Sequence, residues 1–369
     1  MVAHKKVRTG VAVSGIAFAI LFMFLQLGFL GALRATAVAV SSRFEGDLVL
    51  VPAKFLHLSD SGSMPRSRLF QARSIPEVKS VTPIYMRIAR WKAPLTGRGC
   101  SLFAIGFPLA AAVPLRIEGL ANLVTALGSP GSIVVDRLTQ EKCGATETLK
   151  TVEVREGMRD LVGRYTLGVG FLADGSLLSS DETYAQMFDG QPADEVNMGL
   201  VRLEAGSDVE AIADRLRRVL PPDTLVLTVG QLNDRQTRFW VEDTAIGTIF
   251  QMGAVVGFLV GTMILFQVLS TDIRAHLPQY ATMKVMGFTN RRLYVLVLQQ
   301  SWLFAALGYV PALLLALLVY DAAYRATLVP IAMSGGRALL VLLLSLSMCT
   351  VAGLLSLRRL RTADPAELF

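Results

Sequence analysis

The residues of this chain that could take part in catalysis or metal binding are few and lie far apart in the sequence. Its three histidines, His4, His57 and His276, lack the short spacing of a metal-binding or catalytic pair. The sequence has no Gly-Lys-Ser/Thr phosphate loop and no H-E-x-x-H, G-x-S-x-G or S-x-x-K motif. We therefore expect no catalytic, cofactor or metal site on this chain, although an enzyme that uses carboxylates alone stays open.

The three cysteines give a similarly limited signal. Cys349 lies within a long apolar run, where a thiol packs as a small apolar residue. Cys100 and Cys143 lie in the more polar part of the chain, and they could form a disulfide in an oxidising compartment. Two cysteines alone do not specify a disulfide framework, so the sequence leaves this pairing undecided.

The elements that position these residues are dominated by apolar runs. Of the 369 residues, 53% are hydrophobic and 18% are charged. Four uncharged runs, at 11–33, 244–271, 293–320 and 338–357, each reach the roughly 20 residues that a helix needs to cross a bilayer. They predict four transmembrane helices. The first run could instead be a cleaved signal peptide, but it exceeds the roughly 7 to 15 apolar residues of a signal sequence.

The positive net charge of +7 maps to the ends of these helices. Residues 41–240 hold equal numbers of cationic and acidic side chains, so the excess lies in the N-terminal tail, the 272–292 loop and the C-terminal tail. The positive-inside rule places these three segments in the cytoplasm and the large polar region outside. No basic surface is left over to bind a nucleic acid.

The expected fold is a membrane α-helical protein with a large α+β extracytoplasmic domain inserted between helices 1 and 2. We expect a bacterial inner-membrane protein with a periplasmic domain and both termini in the cytoplasm. The predicted segments are a tail at 1–10, helix 1 and the start of a stalk at 11–40, the domain at 41–231, stalk and helix 2 at 232–271, a coupling loop at 272–292, helix 3 at 293–320, an external loop at 321–337, helix 4 at 338–357 and a tail at 358–369.

Within the domain, short β-branched runs bounded by Gly and Pro predict strands. The runs are "DLVLVPA", "VKSVTPIYMRIARW", "SLFAIGFPL", "SIVVDR", "YTLGVGFLADGSLLSS", "NMGLVRLEAG" and "LVLTV". The stretch "SDVEAIADRLRRVL" predicts a helix that begins with a capping box from Ser207 to Glu210. The stretch "NDRQTRFWVED" has no helix breaker, so helix 2 is expected to continue outward as a stalk.

A packing face is predicted on helix 2, where Gly253, Gly257 and Gly261 recur every four residues. Glycines at this spacing let another helix backbone approach closely. The same apolar runs contain no Asp, Glu, Lys or Arg, which argues against a proton-coupled pump or an ion channel. Glutamines in these runs, such as Gln26 and Gln300, are expected to form hydrogen bonds between helices.

The stretch "QYATMKVMGFTNRRL" between helices 2 and 3 has apolar residues on both faces of a predicted short helix. That pattern fits a segment held between the membrane domain and a cytoplasmic partner, with methionines as an adaptable contact. It fits equally a tight connector whose cations only fix the topology. The residues alone favour neither interpretation.

The chain resembles the DevC-type permease subunits of ABC exporters, within the FtsX/MacB-like permease superfamily. The resemblance rests on "VAVSGIAFAILFMFLQLGF", "GDLVLV", "MPRSRLFQARSIPEVKSVTPIYMRIARWKAP", "HLPQYATMKVMGFTNRRL" and "LRRLRTADPAELF". It implies a homodimeric permease with a separate ATPase that holds ATP and Mg, a HlyD-like periplasmic adaptor and usually a TolC-like outer-membrane duct. The loop would then be the coupling helix, through His276, Tyr280, Met283, Lys284, Met286 and Gly287.

The leading functional hypothesis is therefore a non-catalytic permease that converts ATP-driven closure of its partner into movement of the outer domain. An FtsX-type regulator of an extracellular cell-wall hydrolase would use the same architecture. A membrane-anchored enzyme with its site in residues 41–240 would need a clustered acid and base, and a receptor would need a cytoplasmic output domain. The best-known relatives export glycolipid, but nothing in this sequence specifies the substrate.

Overall fold

The four apolar runs form four long helices. The computed structural model of the chain describes residues 2–94, 96–111, 113–144, 149–155, 157–188, 194–276, 279, 282, 283, 286 and 289–361. The helices are α1 (Val2–Ala37), α7 (Ala245–Ala275), α8 (Asn290–Thr327) and α9 (Gly335–Arg361). Their stretches Gly10–Ala37, Ala245–Ala275, Tyr294–Thr327 and Gly335–Ser356 are each long and apolar enough to cross a membrane.

The start of α7 differs from the sequence prediction of a continuous stalk. A five-residue π-helical turn, Phe239–Asp243, precedes it, and Thr244 between the two is extended, with φ −96° and ψ 148°. The Thr244 hydroxyl donates to the carbonyl of Trp240 at 2.6 Å. A threonine side chain that bonds to local backbone offers an alternative to helical geometry, which explains why the helix is interrupted here.

The chain divides into two compact units. The first contains Met1–Ala32, Ala245–Ala323 and Ile331–Phe369, and the second contains Leu33–Thr244 and Tyr324–Pro330. In the first unit α1 supplies the centre of the core, because Ile16, Ile20, Met23 and Phe24 are fully buried. They pack with Leu265, Leu269, Ala305, Ala312, Ala316 and Met348 of the other three helices.

The second unit is an α+β domain built on one nine-stranded mixed sheet, and its two shortest strands, β2 and β9, pair separately. Its strands are β1 (Leu48–Pro52), β2 (Met64–Pro65), β3 (Val78–Lys92), β4 (Gly99–Phe107), β5 (Ser132–Asp136), β6 (Thr151–Val154), β7 (Gly157–Tyr165), β8 (Gly175–Ser180), β9 (Glu195–Val196), β10 (Met198–Leu203) and β11 (Thr224–Thr228). The helices are α2 (Ser67–Arg73), α3 (Leu120–Val124), α4 (Asp181–Met187), α5 (Val209–Val219) and α6 (Val229–Arg238).

The long strand β3 organises this sheet. The nine-stranded order is β11-β1-β10-β3-β4-β8-β5-β7-β6, and β6 also pairs with β3. Six strands, from β3 through β4, β8, β5 and β7 to β6, therefore close into a barrel. The first half of β3 pairs with β10 and the second half with β4, so one strand belongs to both the open part and the barrel.

Alternation along β3 divides the apolar residues between two cores. Tyr85, Ala89 and Trp91 belong to one buried cluster, whereas Ile84 and Met86 belong to the other. Side chains that point to opposite faces at successive positions explain this division. The strand is therefore buried on both sides in its middle, from Thr82 to Met86.

Helix α5 begins at a different N-cap from the one that the sequence predicts. Its N-cap is Asp208, whose carboxylate accepts from the backbone amides of Glu210 and Ala211, so the predicted capping box from Ser207 is wrong. A complete capping box is present instead between Thr228 and Gln231 at the start of α6. Both are N-caps in which a short polar side chain satisfies amides of the first turn.

Cys100 and Cys143 form a disulfide in the second unit, with their Cα atoms 5.9 Å apart. Cys100 lies in β4, and Cys143 ends a short 3-10 helix, Glu141–Cys143. The indole of Trp91 donates to the carbonyl of Cys143 at 2.9 Å. The disulfide therefore joins the loop after β5 to the β3–β4 hairpin.

Candidate functional site

The segment between α7 and α8 contains the six residues predicted to couple to an ATPase. Gln279, Thr282 and Met283 are helical, and the amide of Met286 donates to the carbonyl of Thr282 at 3.0 Å. Met286 is 65% exposed and Met283 is half-buried. Tyr280, Lys284 and Gly287 lie outside the described residues. The structure therefore describes only His276, Met283 and Met286 of the six.

Polar contacts hold together the two helices that flank this segment. Asp272 near the end of α7 accepts a hydrogen bond from Gln300 of α8, with an Nε2 to Oδ2 distance of 2.8 Å. His276 Nδ1 lies 2.9 Å from the carbonyl oxygen of Asp272 and 3.6 Å from its carboxylate. The sequence predicts an interhelical hydrogen bond for Gln300 but not that Asp272 is its partner.

An apolar contact reinforces the same junction. Ile273 of α7 and Val297 of α8 are buried against each other, and Tyr294 packs against them. Because the last turn of α7 and the second and third turns of α8 are joined in two ways, the two helices that flank the intervening segment are fixed relative to each other. A force applied to that segment would therefore reach both helices together.

The three glycines of α7 lie where other helices approach closely. A Cβ atom added at Gly253 would lie 2.4 Å from Gln26 Cδ, and one at Gly261 would lie 2.3 Å from Met348 Sδ. At Gly257 the nearest atoms would be Phe22 Cδ1 at 3.0 Å and Met23 Cγ at 3.1 Å. All three glycines therefore face side chains of neighbouring helices rather than open space.

Helix α8 approaches α1 in the same way. A Cβ atom at Gly308 would lie 2.9 Å from Ile16 Cγ2 and 3.3 Å from the backbone nitrogen of Ala17. The hydroxyl of Tyr320 donates to the backbone carbonyl of Phe24. Close glycine contacts and a buried tyrosine hydrogen bond thus hold α1 on two sides, which is typical of a tightly packed membrane bundle.

Gly257→Leu is expected to destabilise this packing by about 1–3 kcal/mol, the usual cost of inserting bulk into a packed core. The larger side chain must displace Phe22 and Met23 of α1, which already lie about 3 Å from the Cβ position. The measurement is the midpoint of thermal unfolding of the purified chain in a mild detergent.

The matched control for this glycine is Gly10→Leu in α1, because a Cβ atom at Gly10 meets nothing within 4 Å. This variant should unfold at the parent's temperature or slightly above it, since leucine favours helix more than glycine does. Equal midpoints for Gly257→Leu and Gly10→Leu would show that the glycine face has no role in packing.

A buried polar cluster in the second unit was not found from the sequence. The fully buried carboxylate of Asp136 accepts from the amides of Leu138, Leu167 and Gly168 and from the hydroxyl of Ser176. The hydroxyl of Tyr165 donates to Ser176 Oγ at 2.8 Å. Burial first, and then the negative charge of Asp136, raise the pKa of Tyr165 well above its usual value.

This cluster contains residue types that could act as an acid and a base, but its burial and hydrogen bonds are those of a cluster that stabilises the fold. Asp136, Tyr165 and Ser176 are each at most 2% exposed, and their hydrogen bonds are made to one another and to the adjacent backbone. A carboxylate that accepts several backbone amides fixes the loop that supplies them. The cluster therefore anchors residues 165–168 to β5 and offers no access to a substrate.

The sulfur atoms of Cys100 and Cys143 lie within 4.8 Å of a carboxylate oxygen of Asp174. Because the sulfurs are bonded to each other, neither is available as a thiolate ligand for a metal. Partial burial alone would raise the pKa of Asp174, but its bonds to Lys142 and to the Ser101 amide lower it. Asp174 thus serves as the ionised partner of Lys142, at 2.7 Å.

His57 also has a structural environment. Its ring lies 4.7 Å from the ring of Phe239 and 5.3 Å from that of Trp240, measured between centroids. Burial lowers the pKa of His57 more than the nearby Asp60 raises it. His57 belongs to the second unit and His276 to the first, and among the described residues neither belongs to a group of three or more His, Cys, Asp or Glu side chains that could hold a metal ion.

Comparison with known proteins gives one family match. Residues 252–365, which cover most of α7 and all of α8 and α9, match the FtsX-like permease C-terminal family. No curated protein sequence matches the chain.

Among solved structures, the periplasmic region of MacB from Actinobacillus actinomycetemcomitans aligns with 12% identity and a TM-score of 0.38, covering 52% of this chain and 92% of that one. The extracellular domain of the ABC-type transporter YknZ from Gram-positive bacteria aligns with 12% identity and a TM-score of 0.33, covering 49% and 98%.

Proposed function

We propose that this chain is the permease subunit of an ABC exporter of the DevC type and that it transmits motion from a separate ATPase to its outer domain. The observation that carries the proposal is the match of residues 252–365 to the FtsX-like permease C-terminal family. ATP and Mg bind the partner ATPase in this proposal, and this chain is not an enzyme.

Force transmission fits the first unit better than conduction through it. The runs 11–33, 244–271, 293–320 and 338–357 contain no charged residue that could line an ion path. Glycine contacts instead bring α7 and α8 close to α1. Closely packed helices resist deformation, so a movement at one end is carried to the other.

The proposed setting is the inner membrane of a bacterium, with both termini in the cytoplasm and the large domain in the periplasm. The proposed partners are the ATPase, a HlyD-like adaptor, a TolC-like duct and a second copy of this chain. Large apolar side chains on α7 are exposed in the single chain, and they suit lipid or the second copy: Ile249, Met252, Val255, Val256, Leu259 and Met263.

In this proposal the segment from His276 to Gly287 is the ATPase contact. The exposed Met286 and the half-buried Met283 supply an adaptable apolar surface, and Lys284 supplies a cation. The contacts from Asp272 to Gln300 and from Ile273 to Val297 would pass the movement of that segment to α7 and α8.

The topology gives the first test. A cysteine introduced at the exposed Ala185 of α4 should react with an impermeant thiol reagent added outside, and one at the exposed Thr289 should react only after the inner face is opened. An exposed position is essential, because a site such as Ser179 in β8 is fully buried. Labelling of intact cells and of inverted vesicles measures both sites. The reverse pattern would contradict the orientation.

The alternative is an FtsX-type regulator of an extracellular cell-wall hydrolase. Mild detergent extraction and affinity purification of the tagged full-length chain distinguishes the two, with the bound proteins identified by mass spectrometry. An ABC ATPase together with a HlyD-like adaptor supports the exporter. An ATPase together with a cell-wall hydrolase and no adaptor supports the regulator, and no ATPase at all contradicts both.

A further inference from the structure

A positively charged groove lies at one end of the barrel in the second unit. It has a volume of about 1070 Å³ and runs between the β3–β4 hairpin, the β6–β7 hairpin and the end of α4. Its described lining includes the cations Arg90, Lys92 and Arg155 and the carboxylate Glu153. Glu153 pairs with Lys92 at 2.7 Å, which leaves the charges of Arg90 and Arg155 unbalanced within the lining.

Arg155 shares an aromatic ring with a further cation. The Cζ atom of Arg155 lies 4.8 Å from the ring centroid of the buried Phe188, and that of Arg87 lies 5.6 Å from the same centroid. Among the described residues, no carboxylate lies within ion-pair distance of Arg87, Arg90 or Arg155. Stacking on a ring orients a guanidinium but leaves its positive charge in place.

A buried hydroxyl next to these arginines has no partner. Tyr184 is 2% exposed, its ring lies 4.5 Å from that of Phe188, and its Oη makes no hydrogen bond with the described residues. Burial raises the pKa of Tyr184, and the charges of Arg87 and Arg155 lower it only in part, so the hydroxyl keeps its proton. A buried donor left unpaired is costly, and an oxyanion held by the arginines would accept its hydrogen bond.

We propose that this groove, together with Arg87 and Tyr184 beside it, binds an acidic segment of a partner protein. Carboxylates are the side chains that guanidinium groups bind most specifically, through paired hydrogen bonds. The volume exceeds what one small ion needs, since a water molecule takes about 30 Å³, and the lining cations come from two places in the chain, with Arg90 and Lys92 on β3 and Arg155 between β6 and β7. Residues 41–240 carry no net charge, so this excess is local to the groove.

The test uses the purified full-length chain in an uncharged detergent and a fluorescein-labelled hexaglutamate peptide, with binding followed by fluorescence anisotropy. Hexaglutamate should bind, and its affinity should fall as salt is added, because salt screens exposed charges. Arg87→Gln and Arg155→Gln should each weaken binding about tenfold or more, the usual effect of losing a hydrogen bond to a charged group. Arg90→Gln changes another arginine of the groove lining, whose side chain is exposed, and it should also weaken binding.

Two controls separate binding from folding. Arg215→Gln removes an exposed arginine that pairs with Glu77 at 3.0 Å, and it should leave the affinity unchanged. Tyr184→Phe keeps the ring and removes only the unpaired hydroxyl, so it should weaken binding several-fold without lowering the unfolding temperature. A structural role for Tyr184 would affect stability and leave binding unchanged.

Three outcomes would overturn the proposal. The first is equal affinity of the parent and the Arg87→Gln, Arg90→Gln and Arg155→Gln variants for hexaglutamate. The second is binding of inorganic phosphate at this groove without binding of the peptide, which would make it a small-anion site. The third is binding only of phosphatidylglycerol in nanodiscs, which would make it a lipid site. Peptide binding at this groove goes beyond the proposed function and does not depend on it. The purified chain is measured without an ATPase, so the result is the same whether or not the chain is a permease.

Discussion

Met283→Asp is expected to abolish recovery of the ATPase with the tagged chain. If Met283 lies in that contact, the substitution buries a carboxylate without a partner, at a cost on the order of 3 kcal/mol or about a hundredfold in affinity. Insertion into the membrane and folding of the second unit should be unchanged. The measurement is the amount of ATPase that co-purifies with each variant at equal chain expression.

The control for this variant is Met158→Asp. Met158 and Met286 are both 65% exposed in the single chain, so Met286→Asp and Met158→Asp make the same change at equally exposed methionines. Met286→Asp should reduce ATPase recovery, and Met158→Asp in β7 should not. Equal recovery with Met283→Asp, Met286→Asp and the parent would reduce the segment to a connector.

Replacing Cys100 and Cys143 by serine is expected to lower the free energy of unfolding of the second unit by about 2–4 kcal/mol. The two cysteines are 43 residues apart in the sequence, and a disulfide over a loop of this length restricts the unfolded chain strongly. Fluorescence can follow this unfolding, because the fully buried Trp91 donates to the carbonyl of Cys143. The measurement is the midpoint of denaturant unfolding for the full chain.

Reductant provides an independent check of the same disulfide. Dithiothreitol should lower the midpoint of the parent to that of the double serine variant and leave that variant unchanged. Cys349→Ser is the control, since Cys349 is the free buried cysteine of α9, and the variant should remain as sensitive to reductant as the parent. A parent midpoint that does not respond to reductant or to the serines would contradict a stabilising role.

Strand prediction from the sequence succeeded where apolar residues are dense and failed where they are sparse. The run "SIVVDR" predicts β5 to within a residue, and "VKSVTPIYMRIARW" gives all but the last residue of β3. β6 and most of β7 were missed, because "TVEV" is only four residues long and "GMRDLVGRY" is interrupted by charged residues and glycine. Their pairing with each other and with β3 and β5 stabilises them as strands.

The candidate sites were also predicted only in part from the sequence. The glycine spacing on α7 marked a face, because residues four apart lie on one side of a helix. Its contacts with Gln26, Phe22 and Met348 come from three-dimensional packing. The pairing of Asp272 with Gln300 was not predicted, because the two residues lie on different helices and are 28 residues apart in the sequence.

The sequence by itself determined the four long apolar helices, the neutral charge of the domain and the places where cations concentrate. These properties depend on the composition and length of local runs, and no distant contact is needed to establish them. The tertiary structure alone decided that β6 closes a barrel against β3 and that Arg87, Arg155 and Tyr184 gather around Phe188. Those residues are far apart in the chain, and only the register of strand pairing and the packing of α4 on the sheet bring them together.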